Sequence, residues 1–192
     1  MIEAMREIID KIAESSEQID PEKVRVLVQE LAKAPSVFVH GVGRSGLVGR
    51  AFAMRLMHLG LRVYVVGDTT TPAIQPGDAL VTITGSGETP AVRVVAEEAK
   101  RRGAKILTIT ATPNSAVAHL SDLVVVVPGR VLRTGDRDYL ARQVAGVHEP
   151  LTPLSTAFEL TAMVLCDAMI VSLMRQLGKT ETEMVERHAT LQ

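Results

Sequence analysis

One arrangement recurs along this chain: a short run of β-branched and aliphatic residues, a turn of small and polar residues, then a stretch of helical periodicity. Residues 36–40, 61–66, 80–84, 104–110 and 123–127 read as five such strands. Helices are expected over 47–59 and 91–101. Strands joined through helices run parallel with right-handed crossovers. The expected fold is therefore an α/β three-layer αβα sandwich, doubly wound around a five-stranded parallel sheet. Composition agrees with it. The chain is 46% hydrophobic but has three Phe, two Tyr and no Trp, so its core must be Val, Leu, Ile, Ala and Met, as in buried parallel strands. Its 192 residues suit one domain.

Flanking segments are helical too. Residues 1–15 carry an apolar stripe through Ile2, Met5, Ile8, Ile9 and Ile12, and Asp20-Pro21 is a cap and first-turn pair for a helix reaching about Ala34. These helices either cover the sheet or form an arm that packs on another subunit. Between Pro128 and Glu149 the pattern stops, and Arg130, Arg133, Asp136, Arg137, Asp138 and Arg142 make the stretch too polar for core. It reads as a mobile surface loop or as a segment ordered near substrate or a neighbouring subunit. Thr152-Pro153 starts a long apolar helix to about Leu177; Gly178 ends it, and Thr180 to Glu183 forms a capping box for a last short helix.

Several function classes recede. A net charge of −1 with both signs scattered offers no nucleic-acid or anionic-membrane surface. The single Cys166 lies in an apolar helix and reads as a buried structural thiol. His40, His119 and His148 show no metal-ligand spacing with Asp or Glu. No run reaches 18 apolar residues without a charge, and the N-terminus begins as an amphipathic helix, not a signal peptide. A cytoplasmic location with no membrane partner is the expectation.

In a doubly wound fold, ligands bind beyond the carboxyl ends of the strands. The polar stretches at 41–46, 68–72, 85–90 and 110–115 all follow strands and so share that edge. The first, Gly41-Val42-Gly43-Arg44-Ser45-Gly46, superficially matches a dinucleotide fingerprint. Only Asp68 is placed to hold ribose hydroxyls, and Arg44 and Ser45 suit a terminal phosphate or sugar hydroxyls better. On the bland reading, Ser45 caps the helix and Arg44 is a solvated charge. The turn at 84–90 is more specific. Thr84, Ser86 and Thr89 supply three hydroxyls, and Gly85 and Gly87 let the backbone curl with its N–H groups inward. Thr89 is placed as an N-cap before Pro90, leaving free amides aimed at the loop. Together they make an anion seat for an isolated phosphate. Neither turn has the Gly-Lys-Ser/Thr of a nucleotide-triphosphate loop.

At this point the chain resembles sugar isomerase (SIS) domains, and among them the 6-phospho-3-hexuloisomerases. The resemblance rests on Gly43-Arg44-Ser45-Gly46, the Ala53 to Gly60 segment Ala-Met-Arg-Leu-Met-His-Leu-Gly, Thr69-Thr70-Thr71-Pro72-Ala73-Ile74, Gly85 to Thr89, Phe158-Glu159 and Arg187-His188-Ala189. It spans nearly the whole chain and implies a single SIS domain over 1–192, flavodoxin-like or Rossmann-like, with N-terminal helices to 34 and a helical tail from 178. It implies interconversion of D-arabino-3-hexulose 6-phosphate and D-fructose 6-phosphate, the second step of the ribulose monophosphate route of formaldehyde assimilation. It also implies homotetramers with active sites between subunits and no metal or organic cofactor. The phosphate loop of such proteins usually begins Ser-Gly-Ser-Gly; here it begins Thr84-Gly85-Ser86-Gly87, which keeps a hydroxyl.

Moving a carbonyl between neighbouring carbons through a cis-enediol needs one base and a proton shuttle. Glu159 is the first choice for the base: a lone carboxylate in so apolar a helix must face a polar cleft or a partner on a neighbouring helix or loop. Glu149 and Glu88 are alternatives, although Glu88 also suits the positive end of its own helix. Asp167, the other acid of that helix, is expected in a subunit-interface ion pair. His188 is by default an exposed tail residue; the matched motif makes it a candidate for ring opening or proton shuttling, in its own or a neighbouring subunit's site. His58 and Arg187 are further candidates. Gly43, Arg44, Ser45, Thr84, Ser86, Gly87 and Thr89 are the expected phosphate-binding set. Competing readings are another phosphosugar aldose–ketose isomerase and a noncatalytic sugar-phosphate sensor, the latter disfavoured by the lack of a DNA-binding helix pair.

Overall fold

A computed structural model describes residues 1–129 and 156–188. Its elements are α1 (Ile2–Ser16), α2 (Pro21–Lys33), β1 (Val37–His40), α3 (Arg44–His58), β2 (Val63–Val65), β3 (Ala79–Ile83), α4 (Pro90–Arg101), β4 (Lys105–Thr110), α5 (Ala116–Leu120), β5 (Leu123–Val126), α6 (Thr156–Leu177) and α7 (Glu181–Glu186). The five strands form one parallel sheet in the order β2-β1-β3-β4-β5. The chain leaves β1 towards β2 and then returns to the other side of β1 for β3. The topological switch point therefore lies between β1 and β3, whose exits are the two glycine-rich turns.

Alternation along the strands divides the interior into two cores. Val37, Val39, Val81, Ile83, Leu107, Ile109 and Val125 face the larger one, shared with α2, α3 and α6. Phe38, Leu80 and Ile106 face the smaller one, covered by Val92, Ala96 and Ala99 of α4 and Val117 of α5. Higher on the strands, buried hydroxyls replace aliphatic groups: Thr82 and Thr108 bond at 2.6 Å, Thr108 and Ser121 at 2.6 Å, and Ser121 donates to the Val117 carbonyl at 2.8 Å. Each hydroxyl has a partner, which offsets the cost of burying it.

The expected five-stranded parallel sandwich is thus present, with small shifts at element ends. Asp20 caps α2 by accepting from the Glu22 and Lys23 N–H groups, and Thr180 and Glu183 close the capping box of α7. Helix α5 is not marked in the sequence, and the largest boundary shift is at α3, which begins at Arg44 instead of about Leu47. Gly43 takes the N-cap position at φ 61°, so Ser45 sits inside the first turn and does not cap the helix. The expectations about 130–149, Glu149 among them, and about the helix start at Thr152-Pro153 lie outside the described residues.

Helix α6 is long and apolar enough to cross a membrane, yet half of its most apolar window is buried in the fold. It packs on α1, α2 and α3 and buries Phe158, Ala162, Leu165, Met169 and Leu173, as a core helix does. Cys166 is buried there, and burial, with a smaller effect from Asp167, pushes its thiol well above the usual range. That leaves it a structural thiol.

Candidate active site

Two strand-to-helix turns meet at the switch point. The first leaves β1, and its ends close on each other: a Cβ on Gly41 would stand 2.9 Å from the Ile83 carbonyl oxygen and 3.0 Å from the Gly46 nitrogen, and one on Gly46 2.7 Å from the Gly41 oxygen. The contact with Ile83 sets this turn against the root of the second. Arg44, the first residue of α3, extends from it and donates through Nε to the Glu159 carboxylate of α6. The two partners differ in exposure: the Glu159 side chain is 11% exposed and that of Arg44 59%. Of the two bland readings of these residues, the bonded carboxylate holds for Glu159, and Arg44 is more than a solvated charge.

The second turn leaves β3 and is braced by the loop between β4 and α5. The Gly85 carbonyl accepts from the Ala111 N–H and from the hydroxyls of Thr110 and Thr112; the Val117 N–H donates to the Gly87 carbonyl. Gly87 has φ 65°, and a Cβ there would lie 1.9 Å from Ser115 Oγ. The hydroxyls of Thr84 and Ser86 accept from the N–H groups of Gly87 and Glu88, both at 3.2 Å. The N–H groups of Ser86, Thr89 and Ala91 donate to no acceptor among the described residues. With the positive end of α4 behind them, they suit an anion.

Two expectations about this turn change. Thr89 occupies the N-cap position of α4, but its side chain makes no capping bond. Glu88 does not serve its own helix: its carboxylate accepts from the Ala116 N–H at 2.9 Å, at the start of α5. That contact makes it a brace between the two loops and a poor candidate for the base.

The histidine candidates lie elsewhere. His58 is the last residue of α3, so about 14 residues at 1.5 Å each put it about 21 Å along the helix from Arg44. His188 stacks beside it, with ring centroids 5.2 Å apart and planes at 34°. The Arg187 guanidinium lies over Gly60, where a Cβ would come within 2.9 Å of it. A groove of about 460 Å³ runs past His58, His188, Arg55, Asp167 and Glu181. Burial, then the nearby charges of His188 and Arg55, hold His58 below the usual histidine range. Within one chain, then, Arg44, Glu159 and the 84–89 turn gather at one end of α3, and His58, Arg187 and His188 at the other.

His40, set aside on spacing, closes β1 at the binding edge. Its Nε2 is buried without a hydrogen-bond partner, and burial holds the ring below the usual range, partly offset by the Ala91 backbone. The available signal was a polar residue ending an otherwise apolar strand at the switch point. Asp68, the one acid placed to hold a ribose, is paired with Arg50 at 2.8 Å. Among the described residues no three His, Cys, Asp or Glu side chains converge as metal ligands.

Comparison with known proteins adds an independent line. Residues 30–130 match the SIS domain family model. A 3-hexulose-6-phosphate isomerase of Mycobacterium gastri is 42% identical over 183 residues, covering 95% of this chain and 87% of the relative. A Methanococcus jannaschii protein whose crystal structure infers a function of 3-hexulose-6-phosphate isomerase superposes with a TM-score of 0.78 at 34% identity, over 98% of this chain and 97% of the other. The sugar isomerase domain of an RpiR transcription factor from Sphaerobacter thermophilus shares the fold, with a TM-score of 0.74 at 15% identity.

Proposed function

The chain belongs to the SIS-domain superfamily and, within it, to the 3-hexulose-6-phosphate isomerase family, and from that premise we propose that it interconverts D-arabino-3-hexulose 6-phosphate and D-fructose 6-phosphate. At the coarser level it is a phosphosugar isomerase of that family. The observation that carries the finer reading is a buried carboxylate, Glu159, at the same sheet edge as an anion seat built on Ser86, Gly87 and Thr89. The seat holds the terminal phosphate; the carboxylate works on the carbons at the far end of the sugar.

Starting from the hexulose, Glu159 takes the proton from C2. The C2–H electrons form the C2–C3 double bond, and the C3 carbonyl oxygen becomes the enediolate oxygen. A proton passes from O2 to O3, the carbonyl re-forms at C2, and Glu159 returns its proton to C3. Phosphate binding at 84–89 fixes the reacting carbons against the carboxylate, so that remote binding energy lowers the barrier. Thr84 and Gly87 shape the seat, and Ser45 and Gly43 line its approach. His188 would serve ring opening or the oxygen-to-oxygen proton transfer from a neighbouring subunit of a homotetramer; what supports the subunit crossing is its distance along α3 from Arg44 within its own chain.

The test is proton exchange. Fructose 6-phosphate in D2O should gain deuterium at C3, read by NMR. Coupled to a purified hexulose-phosphate synthase, it should also release formaldehyde. Exchange at C1 instead would identify an aldose–ketose isomerase. Binding with no exchange would identify a sensor.

A further inference from the structure

The contact between Arg44 and Glu159 joins two residues that the isomerisation uses in different ways. A carboxylate oxygen that accepts a guanidinium N–H is occupied by that donor and must be released before it can take a carbon-bound proton. Yet Glu159 is buried in the wall and Arg44 is largely exposed, with side-chain exposures of 11% and 59%, so Arg44 is the partner with room to turn away. Arg44 also stands in the first turn of α3, where the helix dipole disfavours a cation and no acidic residue of that turn offsets it. Among the described residues its side chain bonds only through Nε, to Glu159. Its turn abuts the root of the 84–89 seat where Gly41, just past β1, meets Ile83 at the end of the neighbouring β3. That approach sets the seat on the same side of the switch point as Arg44, and a phosphate dianion held there offers an arginine two charges and bidentate oxygens against one carboxylate.

We propose that Arg44 is a substrate-drawn positioning residue: it keeps the Glu159 carboxylate engaged until the sugar phosphate arrives, then turns to the phosphate and frees the carboxylate to take the proton. Phosphate binding thereby switches on the base as well as anchoring the sugar. A ketose without a phosphate is left with a masked base, and the site discriminates in turnover as well as in affinity. This rests on Glu159 being the base of the isomerisation above.

The substrate can be split to test it. D-Xylulose carries the C3 and C4 configuration of fructose but lacks C6 and the phosphate, and phosphite dianion supplies the missing charge. C3 deuterium exchange of D-xylulose is measured in D2O with and without phosphite, for the wild type and Arg44→Gln. In the wild type, phosphite should raise exchange about tenfold or more. In Arg44→Gln, exchange without phosphite should exceed the wild type's by about threefold or more, and the phosphite effect should shrink to about twofold or less. The three models separate cleanly. A residue that only binds phosphate would lose the phosphite effect with the phosphite-free rate unchanged. One that only orients Glu159 would lower that rate and keep the effect. Either pattern overturns the proposal. If Arg44→Gln does not fold, Arg44→Lys is read on the same two rates and should move both in the same directions by less; unchanged values overturn it. Failure of the parent reading is distinct, because the wild type would then show no C3 exchange with fructose 6-phosphate itself.

Discussion

The two glycine-rich turns at the switch point use similar residues for different ends. In the turn from β1, Gly41 and Gly46 press backbone against backbone, and the product is a fixed direction for α3 with Arg44 at its tip. In the turn from β3, Gly87 at φ 65° opens a backbone curl that is braced from a second loop and leaves N–H donors with no acceptor among the described residues. One turn presents a side chain that reaches a buried carboxylate; the other presents its own backbone. Glycine content alone does not separate them. What does is the source of the bracing: the first closes on itself, the second on the β4–α5 loop.

If the first turn governs reactivity and the second affinity, substitutions should split accordingly. The largest effect belongs to Glu159→Gln, which should lower turnover of fructose 6-phosphate by about 10²- to 10⁴-fold in the C3 exchange assay while the phosphosugar still binds by calorimetry. Near-normal turnover would remove reactivity from this side of the site. Next are the glycines. Gly87→Ala combines a positive φ with a Cβ 1.9 Å from Ser115 Oγ, and Ser115 is fully buried and caps α5, so it has nowhere to go. A loss of about 2–4 kcal/mol in urea unfolding is expected. Gly43→Ala, at φ 61° and ψ −137° but with open space around it, should cost less, about 1–2 kcal/mol from backbone strain alone. Equal losses would mean that bracing contributes nothing. Smaller again is Ser86→Ala, which should raise KM for the phosphosugar about tenfold, as the loss of one bond to a charged group does, with a lesser change in kcat. A pure kcat effect would assign the seat a different role.

The smallest effect is at the far end of α3. Burial, first among the causes, lowers the His58 pKa in the fold, whereas the unfolded imidazole titrates near about 6.5. As pH falls through that value the unfolded chain gains a proton that folded His58 resists, so stability drops until the folded pKa is passed. Thermal midpoints from pH 8 to 5 should therefore fall less steeply in His58→Gln than in the wild type. Parallel curves would show that His58 does not carry the dependence.

Much of this was legible in the residues. Short runs of β-branched and aliphatic residues marked all five strands, because a strand between two helical layers is buried on both faces. Asp20-Pro21 and Thr180 to Glu183 marked helix starts through side chains that bond within three residues. The start of α3 was missed because its cap is Gly43, which has no side chain to signal it, while the Ser45 hydroxyl suggested a later boundary. Glu88 was assigned to its own helix because local sequence offers only that partner; its actual acceptor role is to Ala116, 28 residues away.

By itself, then, the sequence determined the strands, all the helices but α5, the parallel sheet, and the edge on which the polar turns would gather, since each follows from composition and periodicity and from the direction of parallel strands. It also supplied both members of the central pair as separate candidates. Only the tertiary structure decided that Arg44 meets Glu159 across 115 residues, that Glu88 braces a neighbouring loop, and that His188 stacks on His58 at the opposite end of α3. The reason is physical. Those contacts depend on how α3 and α6 lie against each other and on how far each helix carries its last residue from the sheet edge. Both are set by the packing of the core between them, and no local run of residues encodes either.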